Sequence, residues 1–188
     1  MTDAPKLFML LLGCTPPGRF TEQHDIFFGI ASDLKSLVPH IRRFWPEGGD
    51  KIHIDAWREV TQVDSFSVDV VPRTAVPGAQ SHRLFFINLG GYKAGEFDEF
   101  HYKMIVAAPG KGEAIRKAKE TAFYHHTGFK GAESHIDDKY GVDVDDIYAI
   151  EDILPATTKD QYRLRLTQAA SDNNEDEIRL GYFQLHKL

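Results

Sequence analysis

The first part of the chain alternates between short apolar runs and polar turns, the pattern of a small α+β domain. Lys6–Gly13 is almost continuously apolar and too short for a typical helix, which indicates a buried strand. A second strand is predicted over His24–Ala31, after which Ser32 can cap a helix with apolar residues at helical spacing. Pro39 lies inside this helix and should kink or shorten it. Two further strands are predicted, over Lys51–Asp55 and Ser65–Val71.

The same order of elements is predicted a second time. Strands over Arg83–Gly90 and His101–Ala108 precede a helix over Lys111–His125, which is rich in strong helix formers. Strands over Ser134–Asp137 and Ile147–Leu154 follow. In each half, the Gly-containing loop after the first strand is expected to join two antiparallel strands.

Residue identities support a tandem duplication. Leu7–His24 aligns with Leu84–His101 at a constant offset of 77, with 8 identities in 18 positions. Unrelated segments would share roughly one residue in eighteen. His53-Ile54-Asp55 then recurs as His135-Ile136-Asp137, at an offset of 82.

The predicted fold class is therefore α+β, with two tandem ββαββ repeats over residues 1–73 and 83–155. A unit of about 70 residues seldom builds enough core alone, so we expect the repeats to pack as one pseudo-twofold domain. Residues 156–188 lie outside the repeat. Their alternating segments, Tyr162–Leu166 and Ile178–Leu185, predict a closing C-terminal β-hairpin.

The composition of the chain argues against some kinds of partner and of cellular compartment. The formal charge of −6 comes without a dense basic stripe, which argues against nucleic acid. No apolar run approaches the length of a membrane span. The single Cys14 leaves no internal disulfide and agrees with a reducing, cytoplasmic location. Leu10–Cys14 resembles a lipoprotein processing site, but the apolar run before it is shorter than a signal-peptide core.

Each repeat carries four polar side chains that are expected to meet on one face of its sheet. Residues two apart on a strand point to the same side, and each repeat has a Glu-x-His and a His-x-Asp pair on adjacent predicted strands. The candidate residues are Glu22, His24, His53 and Asp55 in the first repeat and Glu99, His101, His135 and Asp137 in the second.

Three interpretations of this patch remain open. Imidazole and carboxylate groups suit a divalent metal such as Zn, Mn or Fe, although the short His-x-x-x-His helix signature is missing. The same groups suit a small-ligand pocket or acid and base chemistry. They also suit plain structural pairing of half-buried polar groups, with Asp55 and Asp137 capping the turns that follow. Cys14 has Gly91 as its counterpart and is interpreted as a small buried side chain.

Three sequence strings resemble a known family. They are Leu-Gly-Gly-Tyr…Gly-x-Phe-x-Glu-x-His at Leu89–His101, its copy at Leu12–His24, and His-Ile-Asp-Ala-Trp at His53–Trp57. They are similar to the bacterial proteins grouped as domain of unknown function family 1543. The resemblance spans roughly residues 6–155 and implies a bacterial source and one or two copies of a short domain. It implies no activity and no catalytic residue.

The leading functional hypothesis is a soluble cytoplasmic module of paired repeats that binds a small molecule or a protein partner. The alternative is a metal-assisted hydrolase that uses the Glu/His/His/Asp patch of either repeat. Lys139 stands where the first repeat has Trp57, so two such sites would not be equivalent. Whether the chain is an enzyme, which ligand it takes and how it assembles are left open.

Overall fold

The computed structural model describes residues 4–75, 80–92, 96–120, 142–169 and 176–188. It shows a mixed α+β chain built on antiparallel sheets, which confirms the predicted fold class. The chain forms two compact units, one of Met1–Val76 with Leu154–Leu188 and one of Pro77–Ile153. The pseudo-twofold packing of two duplicated repeats stays a prediction.

The described elements follow the predicted order closely. The two longer helices are α1 (Val38–Phe44) and α2 (Lys111–Lys119), and shorter helical segments cover Lys35–Leu37, Pro46–Lys51, Ile150–Ile153, Ala156–Gln161 and Leu185–Lys187. The strands are β1 (Lys6–Cys14), β2 (Gln23–Ala31), β3 (His53–Glu59), β4 (Gln62–Val63), β5 (Phe66–Pro72), β6 (Arg83–Tyr92), β7 (Glu99–Ala108), β8 (Val142–Ala149), β9 (Tyr162–Gln168) and β10 (Arg179–Gln184).

The main sheet of the first unit has the strand order β10-β3-β1-β2. β1 lies between two neighbours and is buried along most of its length, as its continuous apolar run predicts. Alternate β1 side chains face α1 and form the core with it. The buried members of this core are Phe8, Leu10, Leu12, Cys14, Phe27, Leu37, Ile41, Ile52, Ile54 and Leu185.

The helical segment after β2 starts at Lys35 with Leu34 as its N-cap, so the prediction that Ser32 caps it is wrong. Asp33, not Ser32, supplies the side-chain acceptor: its Oδ1 accepts a hydrogen bond from the backbone N–H of Ser36 at 2.8 Å. This hydrogen bond and its companions lower the pKa of Asp33. Pro39 lies in the first turn of α1, where no intrahelical N–H bond is lost, and a 3₁₀ turn precedes it. The predicted shortening of the helix is confirmed.

The two C-terminal strands form, but the predicted hairpin between them is wrong. β9 pairs antiparallel with β5, and β10 pairs antiparallel with β3, so they lie in different sheets. An alternating pattern specifies a strand with one buried face, but it does not specify which sheet edge the strand covers. Leu154–Leu188, which contains both strands, belongs to the first compact unit.

The second unit is a sheet of order β7-β6-β8 with α2 against it. Ala114 and Ala118 of α2 are fully buried in its core. The strand predicted over Ile147–Leu154 is partly wrong, because β8 ends at Ala149 and Ile150–Ile153 is helical. Acidic residues in this first turn favour a helix. The predicted strand Ser134–Asp137, and the predicted helix beyond Glu120, lie outside the described residues.

Candidate ligand-binding site

The first-unit candidate residues converge because three strands align them in one row. Gly13 of β1 lies opposite His24 of β2 on one side and opposite His53 of β3 on the other. Directly paired residues of neighbouring strands share a face of the sheet. This face is opposite to the one on which Leu12 and Cys14 pack against α1.

A β-bulge brings Asp55 to the same place. Leu12 pairs with Ile54 and Leu11 pairs with Ala56, so Asp55 is the extra residue on β3. A bulge redirects the side chain at its extra position and recurs beside functional sites. The β3–β10 ladder is also irregular here, between Leu180 and Phe183.

Each of the two imidazoles lies within ion-pair distance of both carboxylates. Nε2 of His53 is 3.0 Å from Oε1 of Glu22 and 3.2 Å from Oδ1 of Asp55. Nε2 of His24 is 3.2 Å from Oδ2 of Asp55 and 3.8 Å from Oε2 of Glu22. The sequence-based expectation that Glu22, His24, His53 and Asp55 form one patch is thus matched by their positions in the first unit.

The cluster has a buried side and an exposed side. The side chain of His53 is 5% exposed and that of Asp55 24%, whereas His24 and Glu22 are 41% and 44% exposed. The ring of His53 also packs against Tyr182 of β10, with the ring centroids 4.3 Å apart. The site is therefore a polar recess, buried on the β3 side and open to solvent on the β2 side.

The hydrogen bonding of His53 identifies the nitrogen that faces the site. Nδ1 lies 3.1 Å from the carbonyl oxygen of Lys51, and a carbonyl only accepts, so Nδ1 carries a proton and donates it. In a neutral imidazole the other nitrogen, Nε2, then carries the lone pair. Nε2 is buried and makes no aligned hydrogen bond, and the same holds for Oδ2 of Asp55.

Gly13 keeps the recess open. A Cβ at residue 13 would stand 2.5 Å from Nε2 of His53 and still closer to Oδ2 of Asp55. The predicted strand ended at Gly13, whereas β1 continues through Cys14 and so places Gly13 inside it. Its identity in the two aligned segments, Gly13 and Gly90, was the available signal. Tyr182 lies outside those segments and had no such signal.

Cys14 lies apart from this chemistry. Its side chain is fully buried in the core on the α1 face, and its Sγ lies 3.7 Å from the carbonyl oxygen of Gly48. Burial raises the pKa of the thiol, which keeps it protonated and unreactive. The interpretation of Cys14 as a small buried side chain is confirmed.

The second unit has the same pairing register of its strands, but one residue at the matching positions differs. Gly90 lies opposite His101 of β7 and opposite Asp143 of β8. The register shift of β6 with β8 falls between Asn88 and Leu89, at the positions that match Leu11 and Leu12. Nε2 of His101 lies 3.9 Å from Oε2 of Glu99.

The predicted correspondence of His135 with His53 stays a prediction, because His135 and Asp137 lie outside the described residues. In the described ladder β8 pairs with β6 as β3 pairs with β1, and Asp143 stands at the register position of His53.

The two histidines contact the carboxylates separately. His24 and His53 approach different oxygens of Glu22 and of Asp55. In the part of the chain that the structure describes, no group of three or more His, Cys, Asp or Glu residues could hold a metal ion.

Comparison with known proteins agrees with the sequence resemblance. Residues 19–70, which include Glu22, His24, His53 and Asp55, match the family described as Domain of Unknown Function (DUF1543). The resemblance predicted from sequence is confirmed for this segment. A search of curated proteins gives no match.

A solved structure has a similar fold. It is titled the crystal structure of a protein Il1583 from Idiomarina loihiensis, and the similarity covers 96% of this chain and 97% of that one. The TM-score is 0.64 at 20% sequence identity, so the likeness concerns the fold alone. Among the described residues, no helix has the length and apolar character needed to cross a membrane.

Proposed function

We propose that the first unit is a binding module for a small ligand, held in the recess formed by Glu22, His24, His53 and Asp55. The observation that carries this proposal is the buried Nε2 of His53, which faces two carboxylates without an aligned hydrogen bond. The reducing bacterial cytoplasm suggested by the single cysteine is the proposed location.

Structural pairing alone accounts poorly for this arrangement. Buried polar groups in folded proteins are almost always hydrogen-bonded, and each exception costs about 1–3 kcal/mol. Six buried side-chain atoms of the described residues are such exceptions, and two of them, Nε2 of His53 and Oδ2 of Asp55, lie together in this recess. A ligand that contacted both atoms would recover this cost on binding.

The side chains of the recess determine which kind of ligand it favours. The recess combines two carboxyl side chains with two imidazole side chains. Such a recess favours a cation or a ligand rich in hydrogen-bond donors and disfavours an anion. The alternative of a metal-assisted hydrolase requires the same recess to hold a metal ion with a further open position for water.

Thermal unfolding against a panel of amines, divalent cations and anions tests the proposal. A ligand present at 100 times its dissociation constant should add about 2.7 kcal/mol to the free energy of unfolding. The response should disappear in Asp55→Asn and Gly13→Ala. It should persist in Glu59→Gln, a matched carboxylate on the same strand that pairs with Lys6 outside the recess.

Two outcomes would contradict the proposal. One is that no member of the panel stabilises the protein. The other is that a stabilising ligand acts equally on the wild type, Asp55→Asn and Gly13→Ala, because its site would then lie elsewhere.

A further inference from the structure

We infer that two copies of this chain associate through β10, the edge strand of the main sheet, which pairs antiparallel with β10 of the second copy. This association goes beyond the ligand proposed for the recess and needs no ligand to form. Three features carry it: the open edge of β10, the apolar stripe of Ile178, Leu180 and Tyr182 along that strand, and the distribution of charge at its two ends.

β10 has one paired edge and one open edge. It ends the strand order β10-β3-β1-β2, and within the described residues no strand pairs with its outer edge. The consecutive residues 177–182 are all exposed, whereas residues 26–30 of β2, at the other end of this sheet, are buried. An open edge presents a row of unpaired backbone N–H and C=O groups, which can pair with another strand.

The apolar stripe lies along this open strand. Ile178 is 59% exposed, Leu180 76% and Tyr182 64%. The three residues alternate along the chain and lie on the face of the sheet that carries the recess, where Leu180 pairs with Ala56 and the ring of Tyr182 packs against His53. An exposed apolar edge strand is a site at which another chain pairs.

The devices that usually block such pairing are scarce on β10. The strand contains neither lysine nor proline, which are the residues that most often protect a sheet edge. Its charged residue, Arg179, lies over the ring of Trp57 and pairs with Glu177, so its charge is held away from the stripe. The register shift between Leu180 and Phe183 belongs to the inner ladder with β3.

The stripe is complementary to itself under a twofold rotation. When two antiparallel β10 strands place Leu180 opposite Leu180 of the second copy, Ile178 lies opposite Tyr182 of the second copy. Directly opposite residues share a face and contact each other, and aromatic side chains pair well with β-branched ones. Each member of the stripe is then covered by another member, as a twofold interface requires. Two four-stranded sheets become one continuous sheet.

The charges at the ends of β10 favour a second copy in the antiparallel direction. Asp176 and Glu177 precede the stripe, and His186 and Lys187 follow it. In antiparallel copies the acidic start of each strand lies toward the basic end of the other. Parallel copies would bring like charges together, which is unfavourable.

The expected dimer is weak and reversible. Stable interfaces bury about 1,200–2,000 Å² of total surface with roughly 20–30 residues a side, and a pairing of two short strands is smaller than this. Monomer and dimer should therefore exchange with protein concentration. The interface borders the recess, because Ile178 of the second copy lies opposite Tyr182, whose ring contacts His53.

Sedimentation velocity of the full chain over a range of protein concentrations tests the pairing. The mean mass of the wild type should rise toward that of a dimer as the concentration increases. Leu180→Lys and Leu180→Glu should each stay monomeric, because two like charges then lie opposite each other on the twofold axis. An equal mixture of the two variants should form dimers again, because opposite charges then meet.

Phe20→Lys is the matched control. Phe20 is fully exposed in the loop before β2, away from β10, so this variant should associate as the wild type does. Urea unfolding at low protein concentration, where the copies are apart, checks that each Leu180 variant is folded.

Three outcomes would overturn the inference. The first is a wild type that stays monomeric at every concentration. The second is association of the single Leu180 variants as strong as that of the wild type, because the interface would then lie elsewhere. The third is a mixture of the two Leu180 variants that associates no better than either variant alone, because the two Leu180 side chains would then not face each other.

Discussion

Gly13 and His53 lie opposite each other in the β1–β3 ladder, and only the absence of a side chain at Gly13 leaves room for the His53 ring. A Cβ at residue 13 would stand 2.5 Å from Nε2 of that ring. The recess thus depends on a residue that contributes no chemical group to it.

Gly13→Ala should remove ligand binding and destabilise the protein. The added methyl group must displace the buried His53 ring and the Asp55 carboxylate. We expect the free energy of unfolding in urea to fall by about 1–3 kcal/mol. A stable variant that still binds the ligand as the wild type does would show that Gly13 does not shape the site.

Gly112→Ala is the matched glycine substitution away from the recess. Gly112 lies in α2, and a Cβ there meets no atom within 4 Å. Alanine is favoured over glycine in a helix, so the variant should be more stable by about 0.5–1 kcal/mol. Urea unfolding measures this, and a loss of stability would mean that α2 is tighter around Gly112 than the structure shows.

Ile54→Ala should destabilise the protein strongly. Ile54 lies between the two β3 residues of the recess, yet its own side chain is completely buried in the core with Leu12. Removing a buried isoleucine side chain costs about 2–5 kcal/mol. Leu180→Ala on β10, where leucine is 76% exposed, should change stability by no more than about 0.5 kcal/mol. Similar urea midpoints for the two variants would contradict the described core.

Asp176→Ala should weaken the link between the C-terminal segment and the β3–β4 turn. The Asp176 carboxylate accepts hydrogen bonds from the hydroxyl and backbone N–H of Thr61 and from the backbone N–H of Gln62. Their loss should cost about 1–2 kcal/mol. Asp176→Asn retains a side-chain oxygen that can accept a hydrogen bond, so it should lower the free energy of unfolding by less. If urea unfolding shows the same loss of stability for both variants, the hydrogen bonds of Asp176 do not contribute as described.

Cys14 should make the protein less stable at high pH. Burial raises the pKa of the folded thiol above its ordinary value of 9.0, so the unfolded chain loses this proton first. The contribution to stability is complete below that value and falls as pH rises, by at most about 1.4 kcal/mol per pH unit. Unfolding curves between pH 7 and 10 should show this slope in wild type and not in Cys14→Ala. If the free energy of unfolding changed with pH equally in wild type and in Cys14→Ala, the raised pKa of the Cys14 thiol would be contradicted.

Most strands and both longer helices were predictable, because each rests on a local pattern. The apolar run of β1, the helix formers of α2 and the loops between paired strands act within a few residues. The convergence of Glu22, His24, His53 and Asp55 was predictable for the same reason, since residues two apart on a strand share a face.

Three features were not predictable from local pattern. The partners of β9 and β10 depend on which sheet edges remain open after β3 and β5 have formed. The position of Asp143 opposite Gly90 depends on ladder register, which no local pattern reports. The role of Gly13 depends on a neighbour forty residues away.

By itself, the sequence determined the order of the elements, the buried strands and the polar residues available for chemistry, because backbone preference and side-chain alternation act locally. Tertiary structure alone decided which strands pair, where the bulge at Asp55 falls and which histidine nitrogen faces the recess. These depend on contacts between residues far apart in the chain, whose spacing no local pattern encodes.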